Sequence, residues 1–327
     1  MAAPLNRRPS QTAGRNAGPA ADPSALNVRT AGLSVVSNSV LILAKLVAGT
    51  VTGSVAILTE AVHSSIDLVA SVVAYFSVRK AGEPADESHR YGHEKIENLA
   101  AAIEAILILV GSAAIAFEAI RHLLQRGRVH TLGLGIAVVA LSMVVNFVVS
   151  YVIARQARST ESAALSGDAA HLRTDAMTSL AVLLGLVLVR LTGAQWLDPA
   201  VALAVAAAIV FTGVRLLAGS TRVLVDEALP ADEVKAIRRA VEQFATRGVV
   251  GYHELRTRRA GSRRYIDLHV QFASGTSLES AHRTAHELQD RISERVRGAD
   301  VLIHLEPEDR VRPGEVLGPV KTRTRVG

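Results

Sequence analysis

Six stretches of the chain are apolar for about 20 residues or more at a time, at about 31 to 52, 55 to 79, 96 to 122, 132 to 154, 164 to 190 and 196 to 218. An α-helix of that length covers a hydrocarbon core of ~30 Å, so the pattern predicts six membrane-spanning helices. Beyond residue 218 the period changes. In Tyr265 to Phe272 every second residue is apolar, which places Ile266, Leu268, Val270 and Phe272 on one face of a strand and turns His269 to the other. The same alternation in Val301 to Glu306 puts His304 and Glu306 together on an outward face. Between the two strands, Leu278, Ala281, Ala285, Leu288 and Ile292 recur at helical spacing, with His282 at the edge of that stripe and His286 further round toward solvent. Residues 249 to 258 alternate ambiguously, and the face of His253 stays open. The predicted fold is therefore an α-helical membrane protein of six transmembrane helices, followed over 219–308 by an α+β domain of αββαβ order, ferredoxin-like, with two helices on one sheet.

Composition agrees with a polytopic membrane protein: 49% of residues are hydrophobic and the mean hydropathy is positive. Residues 1–30, rich in Ala, Pro, Gly and Arg, lack the apolar core of a secretory signal and read as a disordered cytosolic tail. They share an acid-poor, Arg-bearing character with transit peptides, but their prolines interrupt any amphipathic helix. Residues 309–327 read as a second disordered, basic tail. Short flanks on one side of the predicted spans carry Arg29, Arg79, Lys80, Arg90, Lys95, Arg155 and Arg158, against Arg121, Arg126, Arg128 and Arg190 on the other. Cytoplasmic flanks are the basic ones, so both termini are expected in the cytoplasm of a cell inner membrane. The net charge of +6 then suits an anionic inner leaflet and calls for no nucleic acid.

With no cysteine in the chain, any transition metal must be held by His, Asp and Glu. Two predicted helices carry the same pair: His63 with Asp67, and His171 with Asp175. A residue and its i+4 neighbour share a helix face, so each pair aims one imidazole and one carboxylate the same way. Ionisable groups inside a membrane are costly and persist mainly where they meet a partner, an ion or water. Two nitrogens and two oxygens would complete the tetrahedral shell zinc prefers. Glu60 and Asp168 each precede their His by three residues, and are either supporting or proton-relaying carboxylates or groups at a wet mouth. A second cluster, Asp86, His89 and His93, lies in the loop after the second span, where Gly92 would permit a tight turn.

These segments, with His89 to Glu97, Asp226 to Pro230 and His304 to Pro307, resemble the cation diffusion facilitator family over about residues 30 to 308, most of all its bacterial ferrous-iron and zinc efflux branch. The resemblance implies a homodimer that exports divalent metal in exchange for protons and is not an enzyme. It implies a transport site of His63, Asp67, His171 and Asp175, and a loop site of Asp86, His89 and His93. It further implies a regulatory site of His253, His269, His282, His304 and Glu306 at the interface of the cytoplasmic domains, and a charge pair of Lys95 and Asp226 that ties the dimer together. Zn2+ is the expected substrate and regulatory ligand, with Cd2+, Fe2+, Co2+ and Ni2+ as further candidates.

Two departures from the branch matter. His63 stands where the branch commonly has Asp, which moves the donor set toward zinc and away from harder ions. Glu306 stands where Asp is usual. A membrane zinc hydrolase would be expected to carry a general base, often in His-Glu-x-x-His, a motif this chain lacks. A metal sensor or scaffold that binds zinc without transporting it is the alternative to transport.

Overall fold

The computed structural model describes residues 23–52, 55–125, 133–308 and 318–319. Six long helices come first: α1 (Pro23–Thr52), α2 (Val55–Ala81), α3 (Lys95–Gln125), α4 (Gly133–Thr160), α5 (Ala163–Thr192) and α6 (Leu197–Leu224). All but α2 meet the length and apolarity needed to cross a membrane, counted over the described residues. Helix α2, whose first half carries Glu60, His63 and Asp67, spans 27 residues, or ~40 Å at helical rise. Large apolar side chains such as Val40, Leu43, Phe117, Phe147 and Phe211 stand on the outer surface, where lipid rather than water is the solvent. The interior is lined by small residues, among them Ala31, Ala74, Ala100, Ala101 and Ala105, which let helix backbones approach closely.

Helix α1 packs along α2, α4 along α5, and α3 along α6, while α5 also touches α2 and α3. The start of α5 is fixed locally. Ser162 caps it by accepting the Leu165 N–H and donates its hydroxyl to Glu97 of α3 at 2.5 Å. Gly193, at φ +73°, closes its far end in the left-handed conformation that glycine adopts without cost.

After α6 come α7 (Ala231–Glu242), β1 (Val249–Ala260), β2 (Arg263–Phe272), α8 (Leu278–Arg295) and β3 (Ala299–Pro307), the αββαβ order expected. The sheet runs β3-β2-β1-β4, with β4 the two residues Gly318–Pro319. Strand β2 is antiparallel to β1 and parallel to β3. Ile266, Leu268, Val270 and Phe272 are buried with Ile237, Val241, Leu288 and Ile292 in one core beneath the two helices. The opposite sheet face carries the histidines.

Two expectations are corrected at the termini. Helix α1 begins at Pro23, inside the stretch read as a tail, because proline suits the first helical turn and Leu26 and Val28 extend the apolar run. Gly318 and Pro319, in the stretch read as a disordered basic tail, pair with Tyr252 and Gly251, taking up the backbone groups that an edge strand leaves free. Residues 1–22, 309–317 and 320–327 lie outside the described residues.

The membrane helices and the αβ domain meet at the β1–β2 hairpin. Lys95 Nζ lies 2.7 Å from Asp226 Oδ1, and Arg258 joins the same carboxylate at 3.6 Å. The Arg258 guanidinium sits 4.7 Å from the ring centres of both Tyr91 and Tyr265, and Tyr265 donates its hydroxyl to the Tyr91 carbonyl. Glu161, in the α4–α5 turn, accepts Arg259 at 2.6 Å and Arg264 at 2.9 Å. The hairpin therefore touches the α2–α3 loop, the α4–α5 turn and the end of α6 at one end of the bundle.

Candidate metal sites

Inside the bundle, α2 and α5 bring Asp67, His171 and Asp175 together, with one ligand atom from each within 4.8 Å of the others. His171 Nε2 lies 3.4 Å from Asp67 Oδ1 and 3.9 Å from Asp175 Oδ2. His171 and Asp67 are buried, and His171 Nδ1 has no hydrogen-bond partner among the described residues. A buried ring nitrogen facing two carboxylates is a donor set that suits a divalent cation. His63 belongs to α2, one turn before Asp67, but its side chain lies outside those described, as does that of Glu60.

Asp168, one turn before His171, is buried and accepts the hydroxyls of Ser34 at 2.8 Å and Ser71 at 3.2 Å, while Asn38 donates to Ser71. It thus sits in a buried polar knot of α1, α2 and α5. Two buried charges escaped sequence reasoning. Lys45 of α1 reaches Ser64 of α2 at 2.7 Å, and Glu104 of α3 is fully buried. The available signal was a lone ionisable residue in an apolar run.

In the α2–α3 loop, His93 Nε2 lies 3.2 Å and His89 Nδ1 3.4 Å from the two oxygens of Asp86. Gly92, at φ +88°, makes the tight turn, with its N–H on the His89 carbonyl. Backbone N–H groups of His89 and Ser88 hold the Asp86 carboxyl below the usual carboxylate range. All three predicted loop residues are together.

The third cluster is set by strand register. His253 pairs with His269 across β1 and β2, and His269 pairs with His304 across β2 and β3. Three imidazoles consequently share one rung, with ring centres 4.9 Å and 4.6 Å apart. Glu306 lies 2.7 Å from His253 Nε2, 2.9 Å from His269 Nδ1 and 3.5 Å from His304 Nε2. Burial pushes the Glu306 carboxyl up, but its hydrogen bonds with His253 and His269 outweigh that and hold it below the ordinary range. A bulge between His253 and Arg256 adds Glu254, at φ +47°, whose carboxylate comes within 3.6 Å of His269. No strand alternation could have predicted that residue. His282 is not brought to this cluster within the chain; exposed on α8, it lies 3.1 Å from His286.

Residues 32–225 match the cation efflux transmembrane domain and residues 229–308 the cytoplasmic domain of cation efflux proteins. The chain is 34% identical over 263 residues to the uncharacterized transporter sll1263 of Synechocystis sp., covering 80% of this chain and 84% of that protein. It is also 34% identical over 281 residues to the cation-efflux pump FieF of Serratia proteamaculans, covering 86% and 93%. Among solved structures, the zinc form of CzrB is 34% identical over 27% of this chain and 98% of that one, with a TM-score of 0.25. The metal-bound C-terminal domain of the CzcD transporter from Thermotoga maritima is 27% identical over 25% and 93%, with a TM-score of 0.24.

Proposed function

The chain belongs to the cation efflux family of membrane transporters, and on that premise we propose that it exports zinc in exchange for protons by alternating access. The observation that carries this reading is the convergence of Asp67, His171 and Asp175 from two helices in the buried interior of the bundle. With His63 completing the set, two imidazoles and two carboxylates favour zinc over harder ions such as manganese, and put iron in second place. Cadmium, cobalt and nickel fall within reach of the same donors.

Metal reaches this quartet from the cytoplasm and leaves on the far side. Imidazole protonates near neutral pH, so protons arriving from outside compete with the metal for the same nitrogens and help to expel it. The proton gradient is the energy source. Asp86, His89 and His93 serve as a cytoplasmic loop site for the same ion.

The chain works as a homodimer in the inner membrane with both termini cytoplasmic, an orientation supported by the basic flanks beside the αβ domain. His253, His269, His304 and Glu306 hold regulatory zinc between the two cytoplasmic domains, with His282 drawn in from the second copy. Lys95 and Asp226, paired within one chain, help to brace that assembly. Zinc bound there favours the transport state in which the two domains lie closest.

The test is metal flux into sealed proteoliposomes under an imposed pH gradient, with each metal offered in turn and proton movement followed at the same time. Zinc uptake coupled to counter-movement of protons is expected. Zinc binding without flux would assign the protein to sensing or scaffolding instead.

A further inference from the structure

The bulge in β1 decides which of its residues enters the αβ core. Between the pairs His253 with His269 and Arg256 with Asp267, β1 places two residues, Glu254 and Leu255, against the single Leu268 of β2. In unbroken alternation Glu254 would stand opposite Leu268, which is buried in the core; with the extra residue, Leu255 packs against that core instead. Glu254 is left in a left-handed backbone conformation, φ +47°, that a β-carbon disfavours. Strain of this kind concentrates where a side chain is needed.

The Glu254 carboxylate turns back to the histidines. Its Oε2 lies 3.6 Å from His269 Nε2 and accepts Arg256 Nη2 at 2.7 Å, which anchors it there. The two nitrogens of His269 therefore face two different carboxylates, with Nδ1 2.9 Å from Glu306 Oε1. The shorter contact assigns the ring proton. An ionised carboxylate can only accept, so the hydrogen between Glu306 and the ring sits on Nδ1, and Nε2 of the neutral imidazole is an acceptor facing Glu254. At 3.6 Å those two atoms are beyond hydrogen-bond length, as two acceptors should be. A metal ion held by His253, Glu306 and His269 Nδ1 needs the opposite tautomer, with the proton on Nε2, where Glu254 stands to accept it.

We propose that Glu254 is a positioning residue for the sheet cluster, accepting the Nε2–H of His269 and so favouring the tautomer whose Nδ1 can bind a divalent transition metal. The role rests on the regulatory-site reading above and adds to it the group that prepares one of its imidazoles. Histidines that bind metal are commonly held in this way, with the far N–H on a carboxylate. The bulge then serves both faces of the sheet: it gives Leu255 to the core and Glu254 to the ring.

The test uses the full chain in detergent, carrying Asp86→Ala and Asp175→Ala to remove one donor from each of the other clusters, with zinc binding measured by competition against a chromophoric chelator. Glu254→Gly suits the bulge, because glycine adopts positive φ freely, and should melt no lower than its parent while binding zinc about 10-fold more weakly. Glu254→Gln keeps an oxygen that accepts an N–H and should restore most of that affinity. In a His269→Ala background, Glu254→Gly should make no further difference. Unchanged affinity in Glu254→Gly, or an equal loss with and without His269, overturns the positioning role. Gln as weak as Gly overturns it as well, because the carboxylate would then act by its charge on the ion rather than by holding the ring. If His269→Ala leaves zinc binding unchanged, the regulatory reading falls and takes this role with it; if His269→Ala weakens binding and Glu254→Gly does not, the role of Glu254 alone falls.

Discussion

The intramembrane cluster and the sheet cluster use similar donor chemistry on opposite kinds of scaffold. Asp67 stands on α2, and His171 and Asp175 stand on α5, two rods joined only through side chains, by packing and by contacts such as the Ser71–Asp168 hydrogen bond. His253, His269 and His304 stand on three strands whose alignment is fixed by backbone hydrogen bonds. A slide or tilt of α2 against α5 changes the first site without breaking any helix. The second cannot change shape without breaking the sheet, so a ligand acts there by recruiting another body rather than by deforming this one. A site that must open alternately belongs on the first scaffold, and a sensor belongs on the second.

The sharpest way to break this comparison is to remove a donor from the intramembrane site. Asp175→Ala should reduce zinc flux in proteoliposomes to background while leaving the protein folded and dimeric by size-exclusion chromatography. Flux at the wild-type rate would take the quartet out of transport. At the rigid site, replacing His269 and His304 together by Ala should weaken zinc binding to the cytoplasmic cluster by at least about 10-fold, leaving substantial zinc-loaded flux. Zinc titration of the full-length protein in detergent, read by the approach of probes on the two αβ domains, would show it, and an unaltered titration would misplace the sensor.

A subtler change keeps all four donors but alters one. His63→Asp trades an imidazole for a harder oxygen and adds charge, so competition transport should shift severalfold toward cadmium, iron or manganese, with a flatter pH dependence near neutrality. The same ranking and pH profile in both proteins would mean that His63 does not touch the ion.

The smallest effect is expected where the two regions join. Lys95 holds the Asp226 carboxyl below its ordinary range through a hydrogen bond, so the pair stabilises the fold above the unfolded carboxyl's pKa of ~3.9 and loses that contribution as pH falls through the folded value. Because both side chains are partly exposed, Asp226→Asn should cost only about 0.2–1 kcal/mol. Thermal melts of wild type and variant should differ slightly at neutral pH and converge in acid; a gap that widened on acidification would contradict the pairing.

Much of this was legible in the sequence because it follows from short periods. The apolar runs gave the helices, and the alternation around His269 and His304 gave the open face of the sheet and, opposite it, the core face on which Ile266, Leu268 and Val270 are buried. The i,i+4 rule placed His171 and Asp175 on one face, and Gly92 gave the turn that gathers Asp86, His89 and His93. What could not be read depends on register and packing between distant segments. The face of His253 is settled by its pairing with His269, and Glu254 reaches the cluster only because a bulge puts a non-glycine residue at positive φ. Glu104 meets Gly167 through the packing of α3 on α5, which no local pattern encodes.

The β1–β2 hairpin also bears on how such chains can be recombined. Its Arg258, Arg259, Arg264 and Tyr265 engage Asp226, Glu161 and Tyr91, all of which lie before residue 229, where the cytoplasmic-domain match begins. The αβ domain is thus not a cassette that can be exchanged at the point where the two family matches divide. A graft that brought in a foreign domain without these four side chains would fold on its own core yet have no grip on the helices, and a chimera that works will be one whose two halves share this handshake.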